Sequence, residues 1–520
     1  MKIVFNNWKI AGYALIAFTA VFVFYVSRTI CFSTNIWLLE PDPTFAYLLN
    51  GLNIATIHSA GHTDHPGTFL QVIIAVMLHI FYFFAPDANT NDLVLSVLNH
   101  PEWYLKNIYT SFFVLQSVIL AIVAIKVWSS FNNFALLVVV LTGLFASHIV
   151  LSNQACTLRP EILIPSLILL LALVTLKRLQ ENNLNPSSSI PSHSLVFGAG
   201  ALAGAALFTK VTCFPLFIVC FLFWKDLKSR LYYIAGFTGT ALICMPFILP
   251  RLKSTILWFV RLALYDGHYG TGSRTILNPT LFYANIITII STNVPTIIFI
   301  VLILIGLFVH RKTRHTLAWE IFILYMISII IIIALSAMHF SQHYLLAMYM
   351  PAFFMPFMYI THIKRNYIKI ATCVLCLFFA LYNINTLYDI NRQRNSAVFI
   401  NTKNFYYDEY TFQNFVIVES YRSYSKPYAL AFGNAWSNGI YGELLRSMYP
   451  YHFDYNVWNN QFYHFQKSVD YEEIASLRRP ILIRGTNLRD DYIKNLILGN
   501  EITSFPEGDV MYELFGVKRQ

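Results

Sequence analysis

The chain has 520 residues, 57% of them hydrophobic and only 12% charged, with a formal net charge of +10 and a mean hydropathy of +0.54. Soluble domains carry about 25% charged residues, so the composition excludes a soluble globular protein and predicts an integral membrane protein. The positive charge comes with no basic stripe, zinc-ligand spacing or recognition-helix pattern, which excludes nucleic acid as a partner. It points to basic cytoplasmic loops, membrane lipids and, second, anionic ligands.

Lys2 and Lys9 precede an apolar run over 10–30. That run is longer than a signal-peptide core and lacks a small-residue cleavage site, so it reads as a retained first span with the N-terminus inside. Beyond it stand Glu40-Pro41-Asp42-Pro43 and a half-polar helical pattern through Asn50. Carboxylates are costly near lipid unless they face water, a partner or a substrate. Asp42 can act as a general base on an acceptor hydroxyl, or cap a helix whose first residue is Pro43. His62-Thr63-Asp64-His65-Pro66-Gly67 follows. His62, Asp64 and His65 offer three ligands for a divalent cation, or partners for phosphate or hydroxyl, or simply a polar turn. The sequence leaves a metal unassigned.

Further apolar runs of spanning length lie near 107–127, 131–151, 160–178, 231–250, 285–309, 316–337, 343–361 and 366–386. Two stretches are ambiguous: 67–85, and 195–224, which Lys210 interrupts. The positive-inside rule is best satisfied if 67–85 stays at the outer interface or re-enters and 195–224 forms two short spans turning at Lys210. Lys126, Lys177, Arg178, Lys225, Lys228, Arg230, Arg311, Lys312, Arg314, Lys364 and Arg365 then all fall inside. This reading predicts about eleven spans, interfacial helices in the first outer loop and an outer C-terminus.

Arg159-Pro160-Glu161 opens a span, either as a phosphate- and sugar-facing pair or as a helix cap. Lys210 reads as a phosphate contact or as a side chain snorkelling to the interface. Gly200 and Gly204 form a small-xxx-small pair suited to close helix packing. The loop 251–284 breaks the charge rule with Arg251, Lys253, Arg261 and Arg274, and it carries Gly267-His268-Tyr269-Gly270-Thr271-Gly272. Cations on flexible backbone suit an anionic headgroup and a gating loop; an ordinary loop is the alternative. His343-Tyr344 opens a late span, as a ligand contact or part of an aromatic belt. Cys373 and Cys376 form a CxxC inside an apolar run and read as packing residues.

After 386 the composition turns polar, which predicts a separate α/β domain over 387–520 after a membrane domain over 1–386. Tyr428–Phe432 and Ile481–Ile483 read as buried strands, 434–447 and 488–498 as helices, and 502–517 as a closing strand pair. No cysteine follows Cys376, so this domain has no disulfide framework.

In their order along the chain these motifs resemble the GT-C superfamily of membrane glycosyltransferases, within the bacterial group related to protein O-mannosyltransferases and lipid A aminoarabinose transferases. The resemblance covers about 1–386. It rests on Glu40-Pro41-Asp42 after the first span, His65-Pro66-Gly67, Arg159-Pro160-Glu161, the glycine-rich run into Thr209-Lys210, the basic loop 261–274 and His343-Tyr344. It implies a polyprenyl-phosphate sugar as donor, a glycan, lipid or protein hydroxyl as acceptor, and inverting transfer on the outer face of a bacterial inner membrane. It assigns the catalytic acid to Asp42, with Glu40 beside it. It leaves substrate and phosphate binding to His62, Asp64, His65, Arg159, Glu161, Lys210, Arg261, His268, Tyr269, Arg274, His343 and Tyr344. A divalent cation is compatible with the family and not required by it. A flippase of lipid-linked sugars or a surface-polysaccharide polymerase or ligase would share the apolar bulk and the cations.

Overall fold

The computed structural model describes residues 2–32, 41–64, 67–88, 92–131, 133–145, 157–184, 191–266, 270–275, 277–292, 297–298, 300–301, 304, 317–349, 351–352, 366–403, 415–419, 425–456, 459, 461–477, 479, 481–484, 502–507 and 510–515. The fold is mostly helical, with a small mixed sheet near the C-terminus. In chain order the helices are α1 (Lys2–Phe32), α2 (Pro41–Ala55), α3 (Thr68–Tyr82), α4 (Leu93–Asn99), α5 (Pro101–Phe131), α6 (Phe134–Thr142), α7 (Ile164–Leu184), α8 (His193–Thr209), α9 (Phe214–Ile218), α10 (Leu227–Ile248), α11 (Leu252–Leu264), α12 (Pro279–Thr292), α13 (Leu317–Met338), α14 (Asn366–Lys403), α15 (Lys426–Trp436), α16 (Gly442–Met448) and α17 (Tyr471–Ala475). The strands are β1 (Val416–Glu419), β2 (His452–Asn456), β3 (Gln461–His464), β4 (Lys467–Val469), β5 (Ile481–Arg484), β6 (Ile502–Glu507) and β7 (Val510–Phe515).

Six helical stretches among the described residues are long and apolar enough to cross a membrane: Lys9–Thr29, Pro101–Phe131, Pro160–Glu181, Leu227–Leu264, Leu317–Met338 and Lys369–Asp389. Their number and hydropathy make this an integral membrane protein. The other apolar helices are shorter. At 15 residues, α3 is only about 22 Å long, against a hydrocarbon core of about 30 Å. The apolar stretch around Lys210 is not one long helix. α8 ends at Thr209, and Lys210 is extended at φ −160° before a 3₁₀ turn over Val211–Cys213.

The chain divides into two compact units. The first comprises Met1–Cys31, Thr63–Ile73 and Asn107–Ile390, and the second Phe32–His62, Ile74–Lys106 and Asn391–Gln520.

In the first unit, α8 and α10 pack at backbone contact. A Cβ on Gly200 would overlap the Tyr233 carbonyl, one on Gly236 would overlap the Phe197 carbonyl, and one on Gly204 would lie 2.8 Å from the Thr240 Cβ. Thr240 uses that proximity to donate from Oγ1 to the Ala201 carbonyl at 3.1 Å. Gly200 and Gly204 thus work as a small-residue seam, with Gly236 as the answering position on α10. Gly236→Leu is expected to force the helices apart and lower the unfolding temperature in detergent, by the ~1–3 kcal/mol or more that overpacking costs; an unchanged melting curve would show that the seam has slack. Cys373 and Cys376 are free thiols on α14, Cys376 buried.

The second unit is built on a seven-stranded sheet of order β4-β3-β2-β1-β5-β7-β6. β1 pairs parallel with β2 and with β5, and the remaining pairs are antiparallel. Val416, Val418, Phe453, Tyr455, Phe462, Val469, Ile474 and Ile481 form its core. β5 and the β6–β7 pair form where the apolar runs predict them. Tyr428–Phe432 does not: it lies inside α15. A short continuous apolar run fits a buried strand or a buried helix equally, and here Ser425 decides. Its side chain caps the helix by accepting from Tyr428 N, and Pro427 occupies the first turn. The helical reading of 434–447 holds for the end of α15 and, from Gly442, for α16, with a turn over 437–441 between them. The expected helix over 488–498 lies outside the described residues.

α2 is a core helix of this unit, with residues 44–54 buried. Its polar positions are satisfied internally. Asn50 Nδ2 donates to the carbonyls of Ala46 (2.7 Å) and Trp436 (3.0 Å), and its Oδ1 accepts from the backbone of Gly61 (2.6 Å) and His62 (3.2 Å). Asn53 Nδ2 donates to Ser437 O at 2.9 Å. α2 and α15 touch closely, because a Cβ at Gly433 would stand 2.7 Å from the Phe45 carbonyl. The half-polar pattern read from the sequence therefore marks two buried asparagines that bond to backbone, as buried amides must.

Candidate functional site

The strongest polar constellation in the first unit is centred on Glu161. Arg159 is extended (φ −147°, ψ 166°), Pro160 opens a 3₁₀ turn over Pro160–Ile162, and α7 follows. Pro is tolerated there because the first helical N–H groups lack partners anyway. Arg159 makes no capping hydrogen bond, so the pair is not simply a helix cap. The turn directs Glu161 inward, where its side chain is 3% exposed.

Lys210 meets it from the break between α8 and the following turn. Its ammonium donates to Glu161 Oε1 in a hydrogen-bonded ion pair, with the lysine side chain only 2% exposed. Lys210 is therefore buried rather than snorkelled to a surface. Its extended backbone still donates to Ala206 O and accepts from Cys213 N, so the helix break leaves neither group orphaned. A third stretch supplies His343 and Tyr344. His343 Nε2 lies 3.9 Å from Glu161 Oε1, and its Nδ1 is 2.6 Å from Ser341 Oγ. The Lys210 ammonium sits 4.8 Å from the centroid of the Tyr344 ring, within cation–π range. Arg159 Nε stands 4.0 Å from Glu161 Oε2.

One carboxylate thus faces two fixed cations and an imidazole. The inner members, Glu161 and Lys210, neutralise each other. The outer members keep access to solvent: Arg159 is 22% exposed and His343 is 30% exposed. Among the described residues the Arg159 guanidinium makes no hydrogen bond, and it carries five donors in a planar fork. The cluster carries one net positive charge, and its outer members are partly open to solvent.

The other expected site residues fall elsewhere. Asp42 lies within the first turn of α2, which begins at Pro41 rather than Pro43, so it does not stand before the helix as a cap. Glu40, His65, His268 and Tyr269 lie outside the described residues. His62, in the second unit, is held edge-on between Tyr47 (5.4 Å) and Trp436 (5.3 Å). Asp64, in the first unit, is half-buried. No group of three His, Cys, Asp or Glu side chains is arranged for a metal among the described residues.

Arg261 and Arg274 are exposed, on the last turn of α11 and in the hairpin after it. The described residues on either side of 267–269 are tied to one another. Tyr265 and Arg274 form a β-bridge. Asp266 accepts from Ser273 N (2.9 Å), Ser273 Oγ (2.8 Å) and Asn278 Nδ2 (3.2 Å). These bonds hold its carboxyl below the usual carboxylate range. Gly270 has φ +72°, and a Cβ there would come within 2.6 Å of the Arg261 Cβ, so only glycine fits.

Sequence reasoning missed a second buried cluster, in the second unit. Glu419 ends β1 and accepts from His452 Nε2 at 2.7 Å and from the Ser425 hydroxyl. His452 Nδ1 is 3.9 Å from Asp454 Oδ1. Burial would lower the imidazolium, but the bond to Glu419 and the charges of Asp454 and Glu419 outweigh it, and the net shift is upward. Burial pushes the Asp454 carboxyl up to about 7, against the opposing effect of His452. The one available signal was Glu419, a carboxylate closing the apolar run Val416-Ile417-Val418.

No protein-family model matches the chain, and no curated protein matches it.

Proposed function

We propose that this protein is a GT-C-like membrane glycosyltransferase that moves a sugar from a polyprenyl-phosphate donor to an acceptor hydroxyl, with an outer C-terminal α/β domain and about eleven membrane segments in a bacterial inner membrane. One observation carries the reading. Arg159, Glu161, Lys210, His343 and Tyr344, drawn from three distant stretches, converge on one cluster with surplus positive charge. A phosphate leaving group needs such charge as its bond to the sugar breaks.

In this reaction the acceptor O–H gives its proton to a carboxylate, and the oxygen attacks the anomeric carbon with inversion. The C–O bond to phosphate breaks, and polyprenyl phosphate departs with the electron pair. Arg159 and His343 receive the developing charge, and Lys210 holds Glu161 in place. The base is assigned to Asp42 on the resemblance of Glu40-Pro41-Asp42 alone.

The test is transfer from a panel of radiolabelled polyprenyl-phosphate sugars in membranes, comparing wild type, Asp42→Asn and Arg159→Gln. Wild type is expected to label an acceptor. Asp42→Asn should lower transfer by about 10²–10⁴-fold, the usual weight of a general base. Substantial activity in that variant would remove Asp42 from the role. No transfer from any donor, together with altered sidedness of a lipid-linked sugar in sealed vesicles, would replace the transferase with a flippase.

A further inference from the structure

α11 does something that a spanning helix does not. The apolar stretch Leu227–Leu264 is 38 residues long, about 57 Å as a continuous helix, nearly twice the hydrocarbon thickness. α10 alone, at 22 residues, already covers about 33 Å. The chain then breaks at a 3₁₀ turn over Leu249–Arg251, with Pro250 inside it. The 13 residues of α11 therefore begin where the bilayer core has been used up.

α11 is oriented by contacts on one side. Thr255 is buried and meets Thr63 Oγ1 at 2.6 Å. His339 Nε2 donates to Leu262 O at 2.6 Å. The opposite side is exposed and of mixed character: Ile256 is 52% exposed, Leu257 46% and Val260 43%. Lys253 and Arg261 share that side and are also exposed. They are two turns apart, about 12 Å along the axis, with Leu257 between them. Neither forms an ion pair among the described residues. From Leu249 to Tyr265 every charged side chain is cationic. The first acid, Asp266, is engaged with Ser273 and Asn278.

We infer that α11 is an interfacial helix whose exposed strip binds anionic phospholipid: Ile256 and Val260 enter the acyl layer, and Lys253 and Arg261 pair with phosphate headgroups. Continuity with the span α10 supplies the bilayer as the occupant, and the unopposed cations select the anionic lipids within it. This site is independent of the transfer reaction and stands whether or not the protein is a transferase.

The experiment is native mass spectrometry of the purified full chain, titrated with phosphatidylglycerol or phosphatidylcholine. Wild type, Lys253→Gln/Arg261→Gln and the control Lys228→Gln are compared at two ionic strengths. Wild type is expected to bind phosphatidylglycerol in preference, and salt should weaken the preference. The double variant should lose affinity for it by on the order of fivefold per cation removed, with phosphatidylcholine binding and melting temperature unchanged. The inference is overturned if the preference is insensitive to salt, if Lys228→Gln reproduces the loss, or if the strip proves to be covered by a second copy, seen as a dimer that Ile256→Ser/Val260→Ser dissociates.

Discussion

Lys210→Met is expected to be among the most damaging single substitutions in the membrane unit, while Glu161→Gln/Lys210→Met recovers most of the loss. The single change leaves Glu161 buried without the ammonium that donates to it. Removing one partner of a buried ion pair costs about 3–5 kcal/mol, whereas removing both is often near neutral. Arg159 and His343, at 4.0 and 3.9 Å, temper the loss without replacing the hydrogen bond. Thermal unfolding in detergent reads this directly. A double variant no more stable than the single would show that the pair is not the unit of stability. Binding of the proposed polyprenyl-phosphate donor supplies a second readout. The single change lowers the net charge of the cluster by one, and the double change leaves it as it was. Affinity for a polyprenyl phosphate should therefore fall more in the single variant than in the double.

The second large effect is a pH dependence of the sheet unit. The folded-state pKa of His452 is raised, so its stabilising contribution is complete below the unfolded value of about 6.5 and is lost as pH rises through the folded value. Asp454 is raised to about 7. Above about 3.9 the unfolded chain ionises this group and the folded unit resists doing so, so stability falls between about pH 4 and 7 and then levels off. Both groups act in one direction: the unit should unfold at lower temperature at pH 8 than at pH 5. His452→Gln should leave the fall that Asp454 produces in place, because it removes the group that opposes that rise, and should also cost about 3–5 kcal/mol, because it leaves Glu419 buried without its imidazolium partner. A wild-type melting temperature that rises over that interval would contradict the assignment of protons in the cluster.

Charge inside apolar sequence was the most informative signal in this chain. Lys210 stands out because it interrupts a hydrophobic stretch and Glu161 because it opens one, and both belong to the cluster. That they pair with each other was not legible, since a sequence offers every acid to every base and only the packing of α7 against α8 selects among them. The helix break at Lys210 was legible, because charge placement and length both argued against one 30-residue helix. The sheet unit was harder to read. β1 spans four residues, too few for a period-two pattern to declare itself. The run Tyr428–Phe432 reads as a strand because its apolar residues outweigh Ser425 and Pro427, the two residues that announce the start of α15. Asp266 organises its hairpin through bonds to Ser273 and Asn278, and no local pattern marks that role.

The pairing of α2 with α15 also sets a timetable. Asn50 bonds to the backbone of Trp436, 386 residues away. At about 5–20 residues per second, ribosomal synthesis separates the two by about 20–80 s. Throughout that interval Phe45, Leu48, Leu49 and Leu52, all buried in the finished protein, await the helix that covers them. The cell must shelter this early segment until the late one arrives, and a chain interrupted before residue 426 would present it uncovered to quality-control proteases.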